Sequence, residues 1–285
     1  MIRRPFGVRP GVFPGAAAGV SGRRRGVSLD PDAAAYIAAI SGDGVTVSGA
    51  QQAAIDAFFR AGKTDGWYSN LQRFYLPIWG AAAPNARCLV SGTSGTFVGG
   101  VTHAAGYAQG NGSTGYFDCG VSLATLGCSD SDALVGRLKK ADTTSLSVRR
   151  DWGAFDTAIQ CCRHASSTTS IIIDHCSTSV GNVVYLAARA PGIESFLRTS
   201  GRHYYTRRDG SSHSVIGSDV IADNGTIPSE ELYFMAINFQ GAPASNTDAE
   251  FGAFYVGSGF SATDEVDFTS ALKTLWETCT GLTLP

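Results

Sequence analysis

The densest run of reactive side chains is "CCRHASSTTSIIIDHC", residues 161–176, which holds Cys161, Cys162, His164, Asp174, His175 and Cys176. Cysteine, histidine and aspartate can together ligate zinc, and a hairpin turning near Ser167 would bring the two ends of the run together. The spacing is irregular, however, and no C-x-x-C occurs in the chain. Adjacent residues of a strand point to opposite faces, so one hairpin cannot aim Cys161 and Cys162 at one ion. No metal is expected. Cys161, Cys162 and Cys176 remain available for a cross-strand disulfide or a bond between subunits. Cys279 joins them as an inter-subunit candidate, because it falls in the last turn of a terminal helix. The chain holds seven cysteines, an odd number that leaves a free thiol or an intermolecular partner; most read as small buried apolar residues.

Other chemistries find less support. "SGTSG" around Ser94 is not G-x-S-x-G, and nothing places a base beside it. Carboxylates that could flank a glycosidic bond are sparse on the expected strands: Asp118, Asp151, Asp156, Asp174, Glu194 and Glu250. Their spacing does not say which of them meet. "GGVTHAAG" has neither the lysine nor the helix of a phosphate-binding loop. Sequons at Asn111 and Asn224 matter only in a eukaryotic secretory setting. Neither a cofactor nor a catalytic residue is assigned.

The most unusual segment is the beginning, "MIRRPFGVRPGVFPGAAAGVSGRRRG". It carries Arg3, Arg4, Arg9, Arg23, Arg24 and Arg25, and no acidic residue precedes Asp30. The chain's formal charge is −2, so a leader at +6 leaves −8 on the rest. Export or organelle address, nucleic-acid arm, tail without a role and assembly tether compete as explanations. Pro5, Pro10 and Pro14 oppose the amphipathic helix of an organelle presequence. A nucleic-acid binder would carry its basic charge on the folded part, so no specific nucleic-acid partner is expected. As a tether, the leader would anchor through its six arginines. No run of 18 apolar residues occurs, so no membrane span is expected.

The elements that must position any site follow from composition and period. The 285 residues include 44% hydrophobic, only 16% charged, and 35 glycines. About a quarter charged is usual; this balance points to a β-rich chain with tight turns. Residues 1–28 read as an extended basic arm and residues 29–80 as a helical region. Asp30 with Pro31 marks one helix start, and Ser48 with Gln51 marks a capping box for a second, with Gly62 as its C′ residue. "TDGWYSNLQRFYLP" reads as a third, shorter helix closed by Pro77. From Arg87 the period turns to two, beginning with "RCLVSG", and Asp209-Gly210 signals a hairpin. A terminal helix over 264–280, capped by Thr263, carries Phe268, Leu272, Leu275 and Trp276 on one core-facing side.

Three stretches, in order, resemble tailed-bacteriophage virion proteins. They are "DAAAYIAAI…VSGAQQAAIDAFFRAGKTDGWYSNLQRFYLPIWGAAA", "FVGGVTHAAGYAQGNGSTGYFDCG" and "FGAFYVGSGFSATDEVDFTSALKTLWETCTG", spanning about residues 30–281. The resemblance implies a mainly β chain. Its core would be an antiparallel β-sandwich, a concanavalin/LamG-like jelly roll over residues 81–285, with a small N-terminal helical region and one C-terminal helix. It also implies residence in the virion, as a non-enzymatic tail fibre, collar or decoration protein bound to other virion proteins through the N-terminal arm. A homo-oligomer is expected, a trimer before other symmetries. A receptor- or glycan-binding module taking a host surface glycan is the alternative, and a glycan-active enzyme stands behind it. Val101, Cys119, Cys128 and the leader depart from the shared pattern, and no calcium ligands of a legume-lectin type are recognisable.

Overall fold

A computed structural model describes residues 28–129, 131–142, 149–155, 161–166, 171–174, 182–185, 190–199, 202–219 and 227–284. The six leader arginines and Cys176 lie outside the described residues. The side chain of Asp30 accepts the amide of Asp32 at 3.0 Å, with Pro31 in the first turn, and helix α1 (Pro31–Gly42) starts there. Ser48 and Gln51 form the reciprocal capping box of α2 (Gly49–Asp65), satisfying two otherwise unpaired helix-end donors.

Gly62 does not end that helix. It lies within α2, where an added Cβ would come within 2.7 Å of the Trp67 indole; the helix ends at Gly66, in the left-handed conformation. The third helix is also corrected. A single 3₁₀ turn, Trp67–Asn70, leads into strand β1 (Leu71–Tyr75), which pairs antiparallel with a strand near the C-terminus. Leu71, Phe74 and Tyr75 satisfy helical spacing, but the backbone partner decides. "RCLVSG" is not a regular strand either. It follows the short α3 (Ala82–Asn85) and makes isolated bridges, Tyr75 with Cys88 and Arg87 with Ser94.

The next strands are β2 Thr96–Val98, β3 Thr102–Ala104, β4 Tyr107–Gln109, β5 Tyr116–Ser122, β6 Ala133–Ala141, β7 Arg149–Phe155, β8 Cys161–Ser166 and β9 Ile171–Asp174. Then come β10 Asn182–Tyr185, β11 Gly192–Thr199, β12 Arg202–Asp209, β13 Ser212–Asp219, β14 Glu231–Phe234, β15 Ile237–Phe239, β16 Ala242–Ala244 and β17 Glu250–Gly257. Helix α4 (Ala262–Thr280) follows, capped by Ser261 with Asp264 rather than by Thr263.

Two sheets result. The first runs β13-β12-β11-β6-β17-β4-β3, with β1 also on β17; the second runs β10-β9-β8-β7-β14-β5-β2, with β15 and β16 beside β7. Pairing is antiparallel except for β15 against β7. The hairpin at Asp209-Gly210 joins β12 to β13. Phe117, Phe234 and Trp152 of the second sheet meet Phe254 and Phe196 of the first, with ring centroids 4.6–6.3 Å apart. The protein is thus mainly β, a sandwich of two sheets with few helices and one C-terminal helix.

Helices α2 and α4 cover the outer face of the first sheet. Phe268, Leu272, Leu275 and Trp276 are all buried there. Phe268 lies at the centre of a ring cluster, 4.8 Å from Tyr255 and 5.3 Å from Trp67. Gly252 gives the Trp276 indole its place on β17: a Cβ there would lie 2.3 Å from Nε1. The Nε1–H donates to the Gly106 carbonyl at 3.2 Å.

Candidate functional site

Several sequence candidates fall where they cannot meet a ligand. Asp151 and Glu194 lie between the sheets, because alternation along β6 turns Arg137 and Lys139 toward the second sheet while Leu134 and Leu138 face the helices. Arg137 donates from Nε to Asp151 at 2.9 Å and from Nη2 to Glu194, and Arg207 donates from Nε to Glu194 at 2.9 Å. Lys139 pairs with Asp151 at 2.9 Å. Arg137, Asp151 and Glu194 are each 2% exposed or less, so the network is a buried brace between the sheets. Burial opposes the Arg137 charge, but Glu194 and Asp151 outweigh it and hold the guanidinium above its ordinary range.

A second cluster joins helix to sheet. Glu265, buried in the first turn of α4, accepts from Ser195 Oγ at 2.6 Å and Thr206 Oγ1 at 2.8 Å, and meets His213 Nε2 at 2.7 Å. Serine, histidine and carboxylate come together, but the carboxylate sits between the other two. A nucleophile needs the base on its own hydroxyl, and Ser195 is fully enclosed. The cluster is a clasp. Sequence reasoning places Glu265 only as a complement to the helix dipole, since its partners lie on strands 52–70 residues away.

The remaining candidates scatter. Ser94 is exposed in its bridge opposite Arg87, and Glu250 pairs with Lys140 at 2.5 Å. Asp156 and His175 lie outside the described residues, while Cys161, Cys162 and Asp174 are placed by strand register alone. Cys88, Cys119, Cys128 and Cys279 are buried thiols that form no disulfide with one another. Burial pushes the Cys279 thiol up to about 12. Among the described residues no three of His, Cys, Asp and Glu gather as metal ligands, and no helix is long and apolar enough to cross a membrane.

One carboxylate candidate, Asp118, does reach an open face in company. On β5 the odd residues Phe117 and Cys119 point into the sandwich, leaving Tyr116 and Asp118 on the outer side of the second sheet. On β14, Leu232 and Phe234 point inward, leaving Glu231 and Tyr233 outside. The pairing sets Tyr233 opposite Asp118. Tyr116 and Tyr233 lie with ring centroids 4.6 Å apart at 32°, and Glu231 lies near enough to Asp118 to feel its charge. Asp118 Oδ1 also accepts the Gly120 amide at 2.7 Å.

Beside Tyr233 on β7 stands Gly153, without a side chain. Two residues along β7, about 7 Å, Phe155 stacks on Phe239 at 4.8 Å and 10°; Phe239 is 45% exposed. The outer side therefore carries two ring pairs, in which Tyr116, Phe155 and Phe239 are accessible while Tyr233 and Gly153 beneath them are buried, with two carboxylates at one margin. Aromatic faces carry negative charge density that attracts weakly positive C–H groups, and carboxylates accept hydrogen bonds from hydroxyls. A sugar offers both, one apolar C–H face and a rim of hydroxyls.

The charge of Asp118, then burial, raises the Glu231 carboxyl above its ordinary range. A carboxyl whose folded pKa is raised stabilises the fold fully below its unfolded pKa and loses that contribution as pH rises through the folded one. Thermal stability is therefore expected to fall across the Glu231 titration. Glu231→Gln should flatten that stretch of the pH profile in a calorimetric series; an unchanged profile would show that the two carboxylates do not repel.

No family model matches the chain, and no curated protein sequence does. Among solved structures, Trypanosoma rangeli sialidase in complex with 2,3-difluorosialic acid, a covalent intermediate, superposes with a TM-score of 0.52 at 10% identity, over 78% of this chain and 40% of that one. A mutant of the same sialidase displaying trans-sialidase activity gives 0.51 at 8% identity, over 78% and 39%. The chain thus spans about two fifths of the length of the sialidases it matches. Ruminococcus gnavus IT-sialidase CBM40 bound to alpha2,3 sialyllactose gives 0.38 at 10% identity, over 52% and 89%, a likeness too loose to argue from. These identities establish the fold class, the β-sandwich.

Two expectations are corrected by these neighbours. The phage structural role came with a resemblance of three sequence stretches, and the fold it implied hosts many functions; solved structures that superpose on this chain are sialidases. The exclusion of enzymes falls with it, because the fold occurs within glycan-active proteins.

Proposed function

We propose that this protein recognises glycans through the outer face of its second sheet. The observation that carries the reading is the convergence of Tyr116, Tyr233, Phe155 and Phe239 with the Asp118 and Glu231 carboxylates on one side of one sheet. The fold shared with sialidases supports it as a scaffold found in proteins that handle sugars. A monosaccharide ring lies across the accessible parts of Tyr116, Phe155 and Phe239, and its hydroxyls donate to the carboxylates.

The face also selects. Two carboxylates repel an anionic sugar, and a unit charge about 4 Å away costs about 1 kcal/mol even in bulk water. The ligand is therefore a neutral or amino sugar before a sialic acid. A panel of immobilised glycans, half of them sialylated, tests this with the full-length chain. Retention on neutral or amino glycans supports it. Retention on sialylated glycans alone would overturn the selection rule, and retention on none would overturn the function.

A further inference from the structure

A groove of about 560 Å³ runs between α2 and α4, on the side of the molecule away from the glycan face. Ala53, Ala57 and Ala61 form one wall, Thr274 and Thr278 the other, and Phe58 lies at its base. Walls of methyl groups leave depth for a large apolar side chain. We propose that residues 1–27 of the same chain occupy this groove, with Phe6 and Phe13, the aromatic residues of that segment, seated between the helices.

Three observations point to this occupant. The first is where the described chain begins. Arg60 Nη2 donates to the Ser28 carbonyl at 2.6 Å, Asp56 Oδ1 accepts the Asp30 amide at 2.5 Å, and Lys63 pairs with Asp30 and Asp32 at 2.7 Å. The chain is thus pinned to α2 itself. Ala57 lies three residues before Arg60, so their Cβ atoms are about 5–6 Å apart, and the pinned chain and the groove wall share one helix. The second is reach. From Ser28 back to Phe13 an extended chain covers up to about 50 Å, while Ala50 to Ala61 spans only about 16 Å of helix.

The third is charge. The segment has six arginines and no acid, against a body of net negative charge. Asp267, exposed, sits one turn before Ala271 on the groove side of α4. Tethering also favours a chain's own segment over a second copy, since short flexible linkage gives effective concentrations in the millimolar range.

The alanine methyls make the test direct. In the full-length protein, methyl NMR should show Ala53, Ala57, Ala61 and Ala271 displaced by aromatic ring currents. Phe6→Leu with Phe13→Leu should move all four, while the core methyls of Ala154 and Ala253 stay in place and certify the fold. Dilution should leave the spectrum unchanged. Groove methyls that ignore the double substitution would refute the proposal. Groove methyls that shift on dilution, with mass falling from dimer to monomer, would place a second copy in the groove and refute it equally.

Discussion

Replacing Trp276 with alanine is expected to lower the free energy of unfolding by about 3–5 kcal/mol. The indole is fully buried between α4 and β17. Its removal forfeits the transfer energy of a large ring, leaves a cavity, and strips the Gly106 carbonyl of its donor. Repacking cannot recover much, because the strand opposite offers only Gly252. Typical domains hold about 5–15 kcal/mol in total, so the variant should unfold at a far lower urea midpoint. A midpoint within error of the wild type would show that α4 is peripheral, contrary to its burial.

The second large effect is expected at the brace between the sheets. Arg137→Ala leaves Asp151 and Glu194 buried with one cation fewer each, and breaking one side of a buried ion network typically costs about 3–5 kcal/mol. Lys139 still faces Asp151 and Arg207 still faces Glu194, which sets the expectation at the lower end of that range. Arg137→Met combined with Asp151→Leu should cost less than Arg137→Ala alone, since Arg207 keeps Glu194 and Lys139 keeps Asp142, so the double variant removes a charge pair and not half of one. Equal or larger loss in the double variant would mean that the network does more than balance charge.

Much of the scaffold is legible in the sequence for local reasons. Phe268, Leu272, Leu275 and Trp276 declare a buried helix face by spacing alone, and Ser48 with Gln51 and Asp209-Gly210 act within four residues. Strand β1 was not legible, because "LQRFY" fits both periods and its partner lies about 180 residues away. The antiparallel β-sandwich with one C-terminal helix expected from the resemblance is the fold observed; the structural role expected with it is the part corrected.

The glycan face divides the same way. Tyr116 with Asp118, and Glu231 with Tyr233, each alternate aromatic and acid on one side of a strand, a signal present in "YFD" and "ELY". That these two strands lie side by side depends on a pairing across more than 100 residues, which no local pattern specifies. Phe155 and Phe239 meet only because β15 turns back to run parallel with β7.

The central claim is that sugars bind on this face, and titration calorimetry on the best-retained glycan of the panel tests it most directly. Tyr116→Ala and Phe239→Ala change partly exposed rings, so each should leave the melting temperature close to wild type. Each should weaken binding by about tenfold or more, as loss of an aromatic anchor worth about 2 kcal/mol implies. Wild-type affinity in both variants, with the glycan still bound, would place the binding site elsewhere and contradict the account.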